Sequence, residues 1–132
     1  MIKKDIKIRI CRPTHNLEEI TKMYTDGLGF EVIGGFDGHG DFNGRMIGHP
    51  NHSYHLEFTQ HKTHVETCKP SEDNLLIFYV PDTSEFYSTI ADLKASGFKK
   101  VKSFNPYWDG AGATFEDIDG YRIVINNSDS PF

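Results

Sequence analysis

The chain has 132 residues, 37% of them hydrophobic, and a formal net charge of −5. This size suits one compact domain, or two small repeated modules that share a core. The negative charge argues against nucleic acid as a partner, because phosphates are bound by clustered Lys and Arg. No stretch approaches the roughly 20 apolar residues of a membrane span, and the start lacks the apolar run of a secretory signal. The two cysteines, Cys11 and Cys68, form no disulfide framework, so we expect a reduced, cytoplasmic protein.

The first predicted elements are a strand and a helix. Apolar side chains at every second position from Ile6 to Ile10 indicate a strand with one apolar face, which Pro13 ends. Asn16 with Glu19 three residues later is a capping-box pattern that predicts a helix start. The helix is expected to bury one stripe of residues at helical spacing, namely Leu17, Ile20, Met23, Tyr24 and Leu28.

Three more strands are predicted in the first half. The helix ends at Gly27 or Gly29, and Phe30–Ile33 begins the second strand. A glycine-rich stretch then turns the chain, and Arg45–Ile47 forms a short third strand. The fourth strand is His52–His61, in which polar and apolar residues alternate.

The fourth strand carries the candidate functional residues. Alternation puts Tyr54, Leu56 and Phe58 on one face, where they would pack on the core. The opposite face collects an unusual number of acid–base and polar groups: Ser53, His55, Glu57, Thr59 and His61. We expect this face to form the wall of a small-molecule cleft, with Glu57 at its floor.

The second half repeats the pattern after a linker over 62–73. Asn74–Val80 reads as a strand, and Asp82 or Ser84 caps a helix that Gly97-Phe98 ends. The inner stripe of this helix is predicted to contain Phe86, Tyr87, Ile90 and Leu93. Three further strands follow at Lys100–Phe104, Ala113–Glu116 and Tyr121–Asn126, the last two joined by a tight turn at Asp119-Gly120.

The order strand–helix–three strands therefore occurs twice, in a first module over residues 5–61 and a second over 74–127. An internal repeat of this kind is stronger evidence for the fold than the secondary-structure propensity of any single segment. We predict one α+β domain of two tandem βαβββ modules that form a curved mixed sheet or open barrel around a cleft. An α+β sandwich without internal symmetry is the alternative.

These residues resemble the vicinal oxygen chelate superfamily, which includes glyoxalase I, bleomycin- and fosfomycin-resistance proteins and extradiol dioxygenases. The matching pieces are short, but they follow the family order across nearly the whole chain: Asn16-Leu17, Met23-Tyr24, Gly27–Val32, Tyr79–Asp82, Gly97-Phe98 and Phe115–Ile123. The resemblance implies that four residues hold a divalent metal, one on the first and one on the last strand of each module. Members often form homodimers, sometimes by exchanging modules, and we expect a homodimer here.

The four metal positions fall on Arg9, Glu57, Leu75 (or Asn74 with a one-residue slip) and Val124. Only Glu57 has the chemistry of a ligand, because arginine has no lone pair to donate and leucine and valine cannot coordinate. We therefore expect no metal cofactor. Our hypothesis is that Arg9 and Glu57 face each other on neighbouring strands, where a bidentate ion pair replaces the metal.

Other side chains are candidates for contact with a ligand. His55 and His61 share the face of Glu57 and could join it as metal ligands if the mapping is shifted, and Thr59 lies between them. Tyr107 and Trp108 either cap the cleft or, in the case of the tryptophan, fill the core. Arg122 either binds an acidic group of the ligand or pairs with Glu116 or Asp117.

Three functions remain open at this point. The first is a protein that binds a small polar or aromatic molecule without a metal, either to sequester it or to act on it. The second is a metal-dependent glyoxalase-, fosfomycin-resistance- or dioxygenase-type enzyme (a lyase, transferase or dioxygenase) that uses Glu57 with His55 or His61, Glu57 being the catalytic base. The third, a scaffold module, leaves the polar face unexplained.

Overall fold

The computed structural model describes residues 1–64 and 68–132. The chain forms two modules, each with a four-stranded mixed sheet and one main helix. The first contains β1 (Ile8–Pro13), α1 (Leu17–Leu28), β2 (Glu31–His39), β3 (Phe42–Gly48) and β4 (Tyr54–His61). The second contains β5 (Leu75–Tyr79), α2 (Thr83–Ala95), β6 (Lys99–Val101), α3 (Tyr107–Gly110), β7 (Gly112–Glu116) and β8 (Arg122–Asn126). The doubled βαβββ arrangement predicted from the sequence is confirmed.

The two sheets have the same topology. The first has the strand order β1-β4-β3-β2 and the second the order β5-β8-β7-β6. In each sheet the first strand pairs in parallel with the last, and the remaining pairs are antiparallel. The sheets are open, so the first strand of each module lies at a sheet edge. The two mixed sheets agree with the prediction of a curved mixed sheet or open barrel, and the strands of the described residues do not form a closed barrel.

The core is formed by the apolar faces of α1 and α2 and the strand residues that pack against them. The predicted stripe of α1 is buried except for Leu28, which is half-buried, and Ile20 and Tyr24 are at 0% exposure. The ring of Tyr24 packs 5.0 Å from that of Phe58 and 5.2 Å from that of Phe98, so it links the two modules. Gly27 allows this close packing, because a Cβ there would lie 3.0 Å from a methyl carbon of Leu93.

The ends of the helices show which local predictions are right. Asn16 is the N-cap of α1, but its side chain makes no capping hydrogen bond, so the predicted capping box is wrong. The backbone N–H of Leu17 instead donates to the side-chain oxygen of Gln60 at 3.2 Å, which ties the start of α1 to β4. Gly29 ends α1 in the left-handed region at φ 69°, where glycine is favoured. In α2, Asp82 is the cap, since its carboxylate accepts from the N–H of Glu85 at 2.8 Å.

Two other predictions are corrected. The glycine-rich stretch does not end the second strand: β2 continues to His39 and pairs with β3, so the chain turns only at Gly40-Asp41. Tyr87 is 65% exposed and does not belong to the inner stripe of α2. The short helix α3 was not predicted. None of the helices in the described residues has the length and apolar character needed to cross a membrane.

Candidate functional site

The candidate site lies on one face of the first sheet. Leu56 and Phe58 of β4 and Ile47 of β3 point into the core. Alternation along the strands sends the intervening side chains to the opposite face, which we call the outer face. It carries Arg9 and Cys11 from β1, His55, Glu57, Thr59 and His61 from β4, and Phe42 and Met46 from β3.

Arg9 and Glu57 form an ion pair on this face, as predicted. The Nη1 of Arg9 lies 2.9 Å from Oε2 of Glu57. The Nε of Arg9 donates a second hydrogen bond, at 2.8 Å, to Nε2 of His55. The guanidinium therefore bridges a carboxylate and an imidazole, and the bidentate pairing with Glu57 alone that we expected is not formed.

The two side chains of this ion pair are buried to different extents. The side chain of Glu57 is 9% exposed, whereas that of Arg9 is 49% exposed. A nearly buried carboxylate needs a charged or hydrogen-bonding partner, and the arginine supplies it. The charge that reaches solvent at this place is positive. Because His55 accepts at Nε2, a neutral His55 carries its ring proton on Nδ1.

The residues at the superfamily's metal positions do not fit a divalent metal. The carboxylate of Glu57 is already bonded by a guanidinium, which has no lone pair for a cation. Val124 is apolar and 0% exposed, and Leu75 offers no donor atom either. Among residues 1–64 and 68–132, no three His, Cys, Asp or Glu side chains are grouped as a metal site would require.

The two histidines proposed as substitute ligands have other contacts. His55 accepts from Arg9, as described above. The Nδ1 of His61 accepts the backbone N–H groups of Thr63 at 3.1 Å and His64 at 2.7 Å. Its Nε2 lies 3.8 Å from the carboxylate of Asp41, which is too long for a hydrogen bond. A shifted metal site around Glu57 is thus disfavoured by the geometry of both rings.

A cavity of about 450 Å³ adjoins the outer face beyond the ion pair. Cys11 and Thr59, whose Sγ and Oγ1 atoms are 4.0 Å apart, form its near end. Phe42 and His61 line its far end. A second cavity of about 390 Å³ lies on the core side of β1 and β4, where Ile10, Tyr54 and Leu56 face residues of β5, and it is separate from the outer face.

The apolar half of the outer face was not predicted from the sequence. Phe36 of β2 lies across Gly44 of β3, and a Cβ on Gly44 would come within 2.5 Å of the phenylalanine ring. Gly44 pairs with Thr59, and Met46 pairs with Glu57. The signal was present in the sequence, since Phe36, Phe42, Gly44 and Met46 alternate with polar or core residues. The glycines between them predicted a turn for most of this stretch instead.

The candidates from the second module lie elsewhere. The guanidinium of Arg122 bonds the carboxylate of Glu116 at 3.0 Å and lies 3.7 Å from that of Glu72. Tyr107 is 68% exposed and packs edge-on against Trp108 in α3. The contacts of the described residues do not bring these three side chains to Arg9 or Glu57. Their role in ligand binding remains a prediction.

A buried polar cluster joins the modules on the core side. The hydroxyl of Tyr24 donates to Asp117 at 2.7 Å, and the guanidinium of Arg12 lies 4.4 Å above the ring of Tyr121. Burial raises the pKa of Tyr24 well above its usual value, and the nearby carboxylate of Asp117 adds to the effect. Burial also raises the pKa of Asp117 and of Asp119. These groups hold the modules together and do not reach the outer face.

Comparison with known proteins assigns both halves of the chain. Residues 8–59 match the YycE-like N-terminal domain and residues 73–127 the YycE-like C-terminal domain. The chain is 46% identical over 122 residues to the uncharacterized protein YycE of Bacillus subtilis (strain 168), covering 92% of this chain and 88% of that protein. The crystal structure of a YycE protein from Bacillus subtilis, described as a candidate glyoxalase/fosfomycin resistance protein of unknown function, superposes with a TM-score of 0.89. That match has 44% identity and covers 96% of this chain and 93% of the other.

More distant structures share the fold alone. The trypanothione-dependent glyoxalase I of Leishmania major matches with a TM-score of 0.72 and 22% identity, over 96% of this chain and 88% of that chain. The fosfomycin resistance protein FosX of Mesorhizobium loti matches with a TM-score of 0.72 and 11% identity, over 96% and 93% of the two chains.

Proposed function

Since the chain belongs to the YycE-like family and has the fold of the vicinal oxygen chelate superfamily, we propose that it binds a small polar or aromatic molecule on the outer face of its first sheet, without the usual divalent metal. One observation carries this proposal. The guanidinium of Arg9 lies 2.9 Å from Glu57, at the position where the superfamily places a coordinated cation. A fixed positive group then takes over the electrostatic role of the cation toward the ligand.

The half-exposed Arg9 is the group that a ligand would meet first. Its Nε and Nη1 are engaged by His55 and Glu57, which hold the guanidinium in one orientation. An orientation fixed before binding lowers the entropic cost of ligand binding. Glu57, the predicted catalytic base, is nearly buried behind its ion pair, and this favours a structural role over proton transfer.

We also propose that the protein is a cytoplasmic homodimer. The outer face is open in one chain, and β1 and β2 lie at the two edges of the first sheet. Ile8 on β1 and Val32 on β2 are 52% and 53% exposed, so both edge strands carry apolar surface. Light scattering after size exclusion should give about 30 kDa, twice the 15.0 kDa of one chain. A mass of one chain at micromolar concentration would contradict the dimer.

The binding proposal can be tested by nuclear magnetic resonance with a library of small polar and aromatic fragments. We expect the hits to shift the side-chain Nε–H signal of Arg9 and the backbone signals of residues 55–59. The same hits should lose most of their effect in Arg9→Gln. Hits that shift only signals of the second module, or that bind Arg9→Gln as well as the wild type, would contradict it.

A further inference from the structure

The outer face has a polar and an apolar side, and this division limits the chemistry of a ligand. Arg9, His55 and Glu57 provide charge at one end. The strands β2 and β3 contribute three apolar side chains along the same face, namely Phe36, Met46 and Phe42. A molecule lying on this face would therefore meet a cation at one end and flat apolar surface along its length.

The cavity of about 450 Å³ continues this surface away from Arg9. Cys11 is the next outward-facing residue of β1, and it pairs with Glu57 in the parallel register. Cys11 and Thr59 belong both to the outer face and to the lining of the cavity. The ion pair and the cavity are thus neighbouring parts of one groove along β1 and β4. The groove is about 13 Å long from Arg9 to Pro13, since an extended strand rises about 3.3 Å per residue.

The far end of the groove is rigid. The two backbone N–H groups that bond Nδ1 of His61 fix the orientation of its ring. The ring of Phe42 packs edge-on against it, with centroids 4.9 Å apart and planes at 85°. With Nδ1 acting as acceptor, a neutral His61 carries its proton on Nε2 and offers one donor there. Fixed aromatic walls of this kind suit a flat ring.

The near end offers donors to an anion. The bonds to His55 and Glu57 use Nε and Nη1 of Arg9. In the contacts made by the described residues, Nη2 of Arg9 has no hydrogen-bond partner, and the side chain is 49% exposed. Arginine binds carboxylates through such N–H groups with charge-assisted hydrogen bonds. Glu57 repels an incoming anion only weakly, because its charge is already paired.

We propose that the groove selects elongated aromatic carboxylates, with the carboxylate on Arg9 and the ring between Pro13 and the Phe42–His61 corner. This inference rests on the proposed function and adds to it a ligand class and a second contact region. Cys11 lies at the middle of the bound molecule. A ligand that fills the groove therefore covers the Cys11 thiol, which is exposed in the free protein.

The probe is 4-phenylbutyrate, and the measured quantity is the rate at which iodoacetamide alkylates Cys11, followed by mass spectrometry of the peptide that contains it. We expect millimolar 4-phenylbutyrate to slow this alkylation at least fivefold in the wild type. The neutral amide of the same acid should need about tenfold higher concentration for the same protection, because it lacks the charged acceptor.

Two variants and one control locate the contacts. The quantity compared is the concentration of 4-phenylbutyrate that halves the alkylation rate of Cys11, relative to the rate of the same variant without the probe. Arg9→Gln should raise this concentration about tenfold, and Phe42→Ala about fivefold. Phe104→Ala is the matched control, because Phe104 is an exposed phenylalanine of the second module. It should leave protection unchanged.

The outcomes separate the two proposals. Protection that depends on Arg9 but not on Phe42 would overturn the extended groove and leave the proposed function intact. Equal protection by the acid and the amide would overturn the carboxylate assignment. If 4-phenylbutyrate does not protect Cys11 of the wild type at any concentration at which it is soluble, the inference is overturned. The proposed function is then tested separately by the fragment screen on Arg9.

Discussion

The Arg9–Glu57 pair predicts an unusual order of stabilities among its variants. In Arg9→Gln, a carboxylate that is 9% exposed loses its charged partner. Breaking a fully buried pair costs about 3 to 5 kcal/mol, and an exposed pair contributes about 0 to 1 kcal/mol. With one partner buried and the other half exposed, we expect Arg9→Gln to lower the free energy of unfolding by about 1 to 2 kcal/mol.

The reverse change should cost less. Glu57→Gln removes the buried charge and leaves an arginine that water can solvate, so we expect a loss of about 0.5 kcal/mol. The double variant should then be more stable than Arg9→Gln alone, because the neutral amide that replaces the carboxylate needs no cation beside it. The coupling energy from this double-mutant cycle should be about 1 kcal/mol.

Urea denaturation at pH 7, monitored by circular dichroism, measures the free energy of unfolding of the wild type, the two single variants and the double variant. The matched control is the cycle between Arg45 and Glu18, a 2.9 Å pair in which the glutamate is 80% exposed. Its coupling should stay below about 0.5 kcal/mol. If the Arg9 and Glu57 losses simply add, or if the double variant is the least stable of the four proteins, the ion pair does not hold the site together.

Two other predictions concern one residue of the outer face and one residue of the buried polar cluster. Gly44→Ala should lower the free energy of unfolding by about 1 to 2 kcal/mol, because its Cβ displaces the Phe36 ring. Gly110→Ala is the control: no atom of the described residues lies within 4 Å of its Cβ, so the change should be less than about 0.5 kcal/mol. Urea denaturation compares the two variants, and equal effects would refute the close approach of Phe36 to Gly44. The raised pKa of Asp119 means that the folded state holds its proton more tightly than the unfolded state. The stability of the wild type relative to Asp119→Asn should therefore rise as the pH falls from 7 through the folded pKa toward 4. Thermal melts of both proteins across this range measure the difference in melting temperature. A difference that stays constant or falls with decreasing pH would refute the assignment.

The fold could be predicted because its signals are local and repeated. Each module is defined, before any tertiary contact is known, by alternating strands and one helix with an apolar stripe that a Gly-Phe pair follows. The errors arose where tertiary contacts override local preference. Gly34 and Gly35 suggested a turn, but pairing with β3 along Val32–Phe36 keeps both of them in the strand. Asn16 suggested a capping box, but Gln60 from β4 supplies the hydrogen bond instead.

The site was predictable in part. Arg9 and Glu57 could be placed together because the resemblance to the superfamily maps two of its metal positions onto them, on neighbouring strands of one module. The participation of His55 in the bond network, and the monodentate geometry at Glu57, depend on side-chain conformations that no pattern encodes. The contact of Tyr24 with Asp117 joins residues 93 positions apart, and nothing in either segment indicates it.

The central claim is that Arg9 takes the place of a coordinated cation, and metal content tests it most directly. The untagged protein should be purified without chelators, analysed by inductively coupled plasma mass spectrometry, and titrated calorimetrically with zinc, nickel and manganese. We predict far less than one equivalent of any divalent metal, and no saturable heat that differs between the wild type and Glu57→Gln. One equivalent of tightly bound metal that is lost in Glu57→Gln would contradict the account.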